Sequence, residues 1–379
     1  MHENMCEMSV GRRPMAQQNP FTPVFGRIPP YMAGREQIIR DMDAAFEGDA
    51  ADPNLCTVFV GARGTGKTAL LSLLAREASA RGWVAANVSA VPGMLEDAIE
   101  QASAAADSFV ERPEGAHLKS LSVGTLFGAE WEYRDPSSGN WRTRMTDLVS
   151  KLNAQGVGLL ITVDEVKGNL DEMVQFASTY QHFVREERKV ALLMAGLPSH
   201  VSALVSNESV SFLRRAKTRT LGKIADAEIS VALRKTIEEG GRSIEEKALA
   251  SAVEAIEGFP YMMQLVGFRM WDASPQNELI DSNDARDGIL LAQEDFKDGV
   301  LYATYRELSD GDLAFLEAML QDDGAPSSLS DITQRLGKSS ANTRVYKSRL
   351  VAQGVIADER RGYVTFDLPY FREYLEAKL

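Results

Sequence analysis

The residues whose types and spacing could do chemistry are concentrated in one stretch, Leu55 to Leu71, LCTVFVGARGTGKTALL. An apolar run to Val60 reads as a buried strand and breaks at Gly61. The turn Gly61-Ala62-Arg63-Gly64-Thr65-Gly66 follows, and Lys67-Thr68-Ala69 open an apolar helix. The pattern is G-x-x-x-x-G-K-[ST] in the strand, loop, helix setting that it requires. Glycines let the backbone wrap a phosphate with successive N–H groups pointing inward. The helix start adds unpaired N–H groups and the positive end of its dipole. Lys67 brings a mobile cation for β- and γ-phosphates, and the Thr68 hydroxyl is placed to ligate Mg²⁺. All residues from Gly61 to Ala69 are therefore candidate phosphate contacts.

A phosphate grip needs a second half, and Asp164-Glu165 are the candidates. They end the apolar run Gly158 to Val163, 96 residues beyond Thr68. One acid at such a strand end can hold Mg²⁺ through water, and a second can orient and deprotonate the attacking water. Asp164 is expected to be the metal residue and Glu165 the general base. Two weaker signals follow. Arg214 and Arg215, in FLRRA, are either a surface pair or an arginine reaching the γ-phosphate of a neighbouring subunit. Ser199, after Gly196-Leu197-Pro198, is either a turn residue or a polar group sensing that phosphate.

The elements needed to position these groups can be read from periodicity. Apolar runs alternate with helical patterns up to about residue 224, which predicts a parallel α/β sheet. A helix is expected over Glu36 to Phe46, and another from Met145 to Ala154. Leu118 to Trp141 alternates around a Pro/Ser/Gly turn and predicts a β-rich insertion, about 117–141. From about Ala225 the pattern is helical. Ser243 and Glu246 have the spacing of a capping box, Gly258-Phe259-Pro260 separates two helices, and one long helix is expected over Ser282 to Leu308. The last unit predicts three helices and a hairpin, the layout of a winged helix. The expected organisation is a disordered tail (1–20), a P-loop domain (21–224), a helical lid (225–308) and a winged-helix domain (309–379).

Composition narrows the class. The chain has 379 residues, 44% hydrophobic and 25% charged, which is ordinary for a globular protein. Two cysteines and four scattered histidines suggest neither a disulfide framework nor a zinc site. No apolar run approaches 18 residues and no signal-peptide order is present, so a cytoplasmic protein without a membrane span is expected. The net charge of −13 argues against indiscriminate nucleic-acid binding. The charge is uneven: residues 325–379 carry nine Lys/Arg against six Asp/Glu, and the rest carry 32 against 48.

In order, the GRE helix start (Gly34-Arg35-Glu36), GARGTGKT, LLITVDE, AGLP, FLRRA, GFP and a C-terminal winged helix resemble the AAA+/STAND branch of P-loop ATPases. The likeness extends from about Phe21 to the C-terminus and is nearest to bacterial ATP-binding proteins with an origin-recognition-initiator-like AAA domain. The resemblance implies that Gly34 and Arg35 lie against the adenine and that Pro260 closes over the base or ribose. It also implies a slow ATPase using ATP and Mg²⁺. The sequence departs from the initiator pattern where a sensor arginine usually follows the lid turn. Tyr261-Met262-Met263-Gln264 stand there, and Arg269 comes later.

Two uses of the nucleotide are expected. In one, the winged helix binds double-stranded DNA through Asn342, Thr343, Arg344, Lys347 and Ser348, with Arg360 and Arg361 on phosphate. In the other, the chain is a regulatory switch acting on proteins. The winged helix is then an interaction or autoinhibitory module held against the ATPase core until ATP binds, and it meets a protein partner or a second copy of the chain. A phosphotransferase is disfavoured, because an Asp-Glu pair suits activation of water.

Overall fold

In a computed structural model, residues 18–24, 26–111, 140–168 and 170–378 are described. Four apolar segments form strands: β1 (Cys56–Val60), β2 (Trp83–Ser89), β3 (Gly158–Asp164) and β4 (Val190–Gly196). The polar segment KTRT forms β5 (Lys217–Thr220). The sheet order is β2-β3-β4-β1-β5, with every neighbouring pair parallel. A parallel sheet is covered on both faces, which explains the unbroken apolar runs. β5 can be polar because it lies at an edge.

Successive side chains serve opposite cores. Leu159, Ile161 and Val163 pack with Trp141 and Phe176, whereas Leu160 packs with Phe59 and Leu70. Helices α1 (Glu36–Glu47) and α2 (Lys67–Ala80) cover the second face. Helices α3 (Met94–Glu111), α4 (Trp141–Ala154), α5 (Asp171–Arg185) and α6 (Pro198–Ser206) belong to the first. β4 lies between β1 and β3, so the loops after β1 and β3 open at one carboxyl edge. In α/β sheets this is where ligands bind.

The helical half begins with α7 (Asp226–Glu239), α8 (Glu246–Ile256), α9 (Pro260–Ala273) and α10 (Ser282–Phe296). Two short paired strands, β6 (Ser243–Ile244) and β7 (Leu279–Ile280), tie it together. A π turn over Lys297–Leu301 leads into α11 (Tyr302–Glu307). Then come α12 (Asp310–Leu320), α13 (Leu329–Leu336) and α14 (Ser340–Gln353). An antiparallel sheet follows, ordered β8 (Ser327–Ser328), β10 (Tyr363–Phe366), β9 (Ile356–Arg360), and α15 (Phe371–Glu376) ends the fold. Ile256, Phe296, Leu301, Phe315 and Phe371 share one core. Apolar packing is therefore continuous across residue 308, where the sequence suggested a boundary.

Several expectations change. Ser243 is not a cap: it pairs in β6, and Glu245 stands at the N-cap of α8. The long helix from Ser282 is interrupted by the π turn. Trp141 does not belong to an insertion; it opens α4, capped by the Asn140 side chain, and is buried against Phe176. Residues 117–139 of the expected insertion, and the tail up to residue 17, lie outside the described residues. The expected tail ends too late, since Asn19 Nδ2 already donates to Phe268 O (3.0 Å) and Asp272 Oδ1 (2.9 Å).

Candidate active site

The phosphate loop is anchored at its start by two backbone hydrogen bonds. Leu221 N donates to Val60 O (2.7 Å), and Gly61 N donates to Gly196 O (3.4 Å). Thr65 Oγ1 closes the turn onto Ala62 O (2.8 Å). Gly64 and Gly66 have φ of +74° and +82°, a region that costs other residues strain. Gly64 is also a close approach: a Cβ there would lie 2.5 Å from the Phe259 ring. Gly66 caps α2, so Lys67 and Thr68 stand at the helix start. Lys67 Nζ donates to Gly61 O (2.8 Å) and Ala62 O (2.6 Å). Burial lowers its pKa to about 8, against the opposing pull of Asp164.

One hydrogen bond joins the two motifs. Thr68 Oγ1 donates to Asp164 Oδ2 at 2.6 Å. The other oxygen, Asp164 Oδ1, accepts from Glu165 N at 2.9 Å. Glu165 lies just beyond β3, is exposed, and has a φ of +51°. A non-glycine residue in the left-handed region stores strain, and such positions cluster at functional sites.

These groups line one end of a cavity of about 440 Å³. Arg63 to Ala69, Asp164 and Glu165 form the phosphate end. Tyr31, Met32, Ala33, Ile224 and Met263 give a mostly apolar chamber, with Thr22, Arg27, Arg35 and Gln264 as polar residues. Pro260 and Tyr261 come from the lid, and Gly299, Val300 and Ala303 from the π turn and α11. The arrangement can cradle a polyphosphate at one end and enclose a flat base at the other.

The predicted residues divide clearly. Arg63, Gly64, Thr65, Gly66, Lys67, Thr68, Ala69, Asp164, Glu165 and Pro260 converge on the cavity; Gly61 and Ala62 do not line it. Arg35 lines it, but its guanidinium is committed to Gly222 O (2.8 Å), Thr65 O (3.4 Å) and Gly34 O (3.2 Å). It is buried, which lowers its pKa, and it ties the phosphate loop to the segment before α7. Gly34 lies outside the cavity, against Ile224 and Glu228. Arg214 and Arg215 are exposed and do not line the cavity, with Arg214 Nε donating to Val205 O (3.1 Å). Ser199 is exposed in the first turn of α6. Arg269 pairs with Asp295 through two 2.6 Å contacts and does not line the cavity.

Sequence reasoning missed Thr22, Tyr261, Gln264 and Gly299 as cavity residues. Gln264 carried a usable signal, since it is the polar residue in the buried run MMQLV of α9. Gly299 carried another. It costs helix stability, and a Cβ there would meet nothing within 4 Å, so packing does not require it.

Residues 298–375 match a family described as a domain of unknown function (DUF8462). No curated protein is similar enough in sequence to count as a match. The fold is similar to that of the Walker-type ATPase PABY2304 of Pyrococcus abyssi. That likeness has a TM-score of 0.65 at 15% identity, covering 91% of this chain and 96% of that one. It is also similar to the ORC2 protein of Aeropyrum pernix, with a TM-score of 0.61 at 13% identity over 94% and 96% of the two chains. Among the described residues no helix is long and apolar enough to cross a membrane. The chain thus shares the fold of these two proteins, a parallel α/β sheet with a phosphate loop after its first strand and a helical half beyond it.

Proposed function

We propose that this chain is a slow, Mg²⁺-dependent ATPase whose nucleotide state controls a C-terminal winged helix. One observation carries the reading. The cavity that holds Lys67, Thr68, Asp164 and Glu165 is also walled by Gly299, Val300 and Ala303, on the helix that runs into the C-terminal unit.

Thr68 Oγ and Asp164 Oδ2, already 2.6 Å apart, suit a hard cation that takes oxygen ligands. Among the described residues no cluster of three His, Cys, Asp or Glu side chains could hold a metal by itself. This fits Mg²⁺, which binds through one or two protein oxygens together with substrate phosphates. Bound there, Mg²⁺ would offset charge on the phosphate oxygens. Lys67 would exchange its two carbonyl partners for phosphate oxygens, and Glu165 would take a proton from the attacking water. Arg214 and Arg215, exposed and outside the cavity lining, are available to the site of a second copy. Phosphate release from ATP that needs Mg²⁺ but no added acceptor is the expected result. Strict dependence on an acceptor would replace hydrolysis with phosphotransfer.

A specific contact favours the switch over constitutive DNA binding. α14, the helix that would read DNA, packs on α6. At its end Gly354 faces the phosphate loop, where a Cβ would lie 2.1 Å from Ala62 Cβ. Arg63 Nη1 pairs with Glu307 Oε1 at 2.7 Å. Nearby basic groups are partly committed, since Lys347 pairs with Asp358 and Arg360 lies over the Tyr363 ring at 4.1 Å. Gly354→Ala should therefore push the C-terminal unit off the loop. Gly337→Ala is the control, because Gly337 is also a left-handed C-cap but has open space at its Cβ. Small-angle scattering should show expansion for Gly354→Ala alone. Titration of that variant with duplex DNA at two salt concentrations then tests DNA as a partner, since phosphate contacts strengthen as salt falls. Equal behaviour of the two variants would remove the switch reading.

A further inference from the structure

Thr22 and Gln264 form a polar pair in the wall of the cavity. Thr22 lines the cavity, and its Oγ1 is buried with no hydrogen-bond partner. Its backbone N donates to Gln264 Oε1 at 3.0 Å. That contact fixes the amide orientation of Gln264, because Oε1 must face the N–H. The Nε2 end is left as a donor, and no hydrogen bond among the described residues uses it. Gln264 is 8% exposed and lines the same cavity.

The pair is held rigidly. Phe21 packs on Gly267 of α9, where a Cβ would lie 2.2 Å from the Phe21 ring. Asn19 Nδ2 donates to Phe268 O and Asp272 Oδ1 on the same helix. Residues 19–22 are thus fastened to α9 by one ring and three hydrogen bonds. A buried hydroxyl without a partner costs free energy unless a ligand satisfies it. A few preorganised polar groups in a mostly apolar chamber are how small-molecule sites fix orientation and specificity.

We propose that Gln264 and Thr22 read the edge of the purine and select adenine over guanine. The inference rests on the nucleotide-binding reading above and adds the groups that choose the base. Gln264 Nε2 donates to ring nitrogen N1, and Thr22 Oγ1 accepts from the exocyclic N6 amine. Guanine presents a carbonyl in place of the amine and an N1–H in place of the acceptor. The Thr22 hydroxyl can rotate to donate to that carbonyl. The Gln264 amide cannot reverse without abandoning Thr22 N, so its donor would meet the guanine N1–H. Discrimination therefore rests mainly on Gln264.

The test is a set of dissociation constants for ATP, GTP and purine riboside triphosphate, which lacks the 6-amino group. Wild-type protein should prefer ATP over GTP by about tenfold or more, the scale of one good hydrogen-bonded base contact. Gln264→Glu keeps an acceptor for Thr22 N but replaces the donor with a carboxylate that guanine N1–H can use. It should lower the ATP:GTP preference about tenfold or more. Thr22→Val should reduce the wild-type preference for ATP over purine riboside triphosphate. Equal wild-type affinities for ATP and GTP would overturn the proposal, as would an unchanged ratio in Gln264→Glu. The wild-type comparison needs no variant and holds even if Gln264→Glu folds poorly. A wild-type chain that binds none of the three would instead defeat the nucleotide reading itself.

Discussion

Lys67→Ala is expected to weaken nucleotide binding by about 10²–10³-fold or more, the scale for removing one partner of a buried, charge-assisted contact. The ammonium is held in the phosphate loop by Gly61 O and Ala62 O, with Asp164 as its nearby opposing charge. Alanine leaves those carbonyls facing the phosphate end without a cation. Calorimetric titration with ATP measures the loss, and affinity within a few-fold of wild type would remove Lys67 from the site.

Lys67 also predicts a pH dependence. Burial lowers its pKa to about 8, from a usual value of 10.5. Between those values the unfolded chain binds more protons than the folded one, so this group makes stability rise with pH across that window. Nucleotide binding should act in the opposite direction. Phosphate oxygens favour the charged ammonium, so binding near pH 8 should take up about half a proton, and affinity should fall above it. Titrations in two buffers of different ionisation heat measure the uptake. No uptake at pH 8 would mean that Lys67 stays fully charged in the loop.

Glu165→Gln is expected to keep ATP binding and reduce turnover by about 10²–10⁴-fold, the usual contribution of a general base. The swap is nearly isosteric and leaves the left-handed backbone of Glu165 as it is, since glutamine and glutamate bear the same strain there. The Asp164–Thr68 contact uses neither side-chain oxygen of Glu165. Single-turnover measurements should show ATP retained on the protein with slow phosphate release. Normal turnover would transfer the role of base to another group.

The contrast between Lys67 and Arg35 shows how far the sequence could be read. Lys67 was legible because its role follows from local geometry: a glycine turn between an apolar strand and a helix places it at the helix start. Arg35 was expected at the adenine by resemblance, yet its guanidinium binds Thr65 O and Gly222 O. Those acceptors are 30 and 187 residues away in the chain, and no local pattern announces them. Gln264 was visible as a polar residue in an apolar run, but its role depends on Thr22, 242 residues earlier. Trp141 was misplaced for a related reason. Aromatic residues suit strands and helix starts alike, and contact with Phe176 decided the matter.

The sequence by itself determined the parallel α/β sheet, the phosphate loop at the end of its first strand and the acids at the end of its third. These follow from hydrophobic periodicity and backbone conformation over fewer than about 20 residues at a time. Only the tertiary structure decided that Thr68 meets Asp164, because strand order brings the two loops to one sheet edge. It alone placed the π turn between α10 and α11 in the cavity wall and Gly354 against Ala62. Such contacts join segments far apart in the chain, and they are selected by packing over the whole core rather than by local preference.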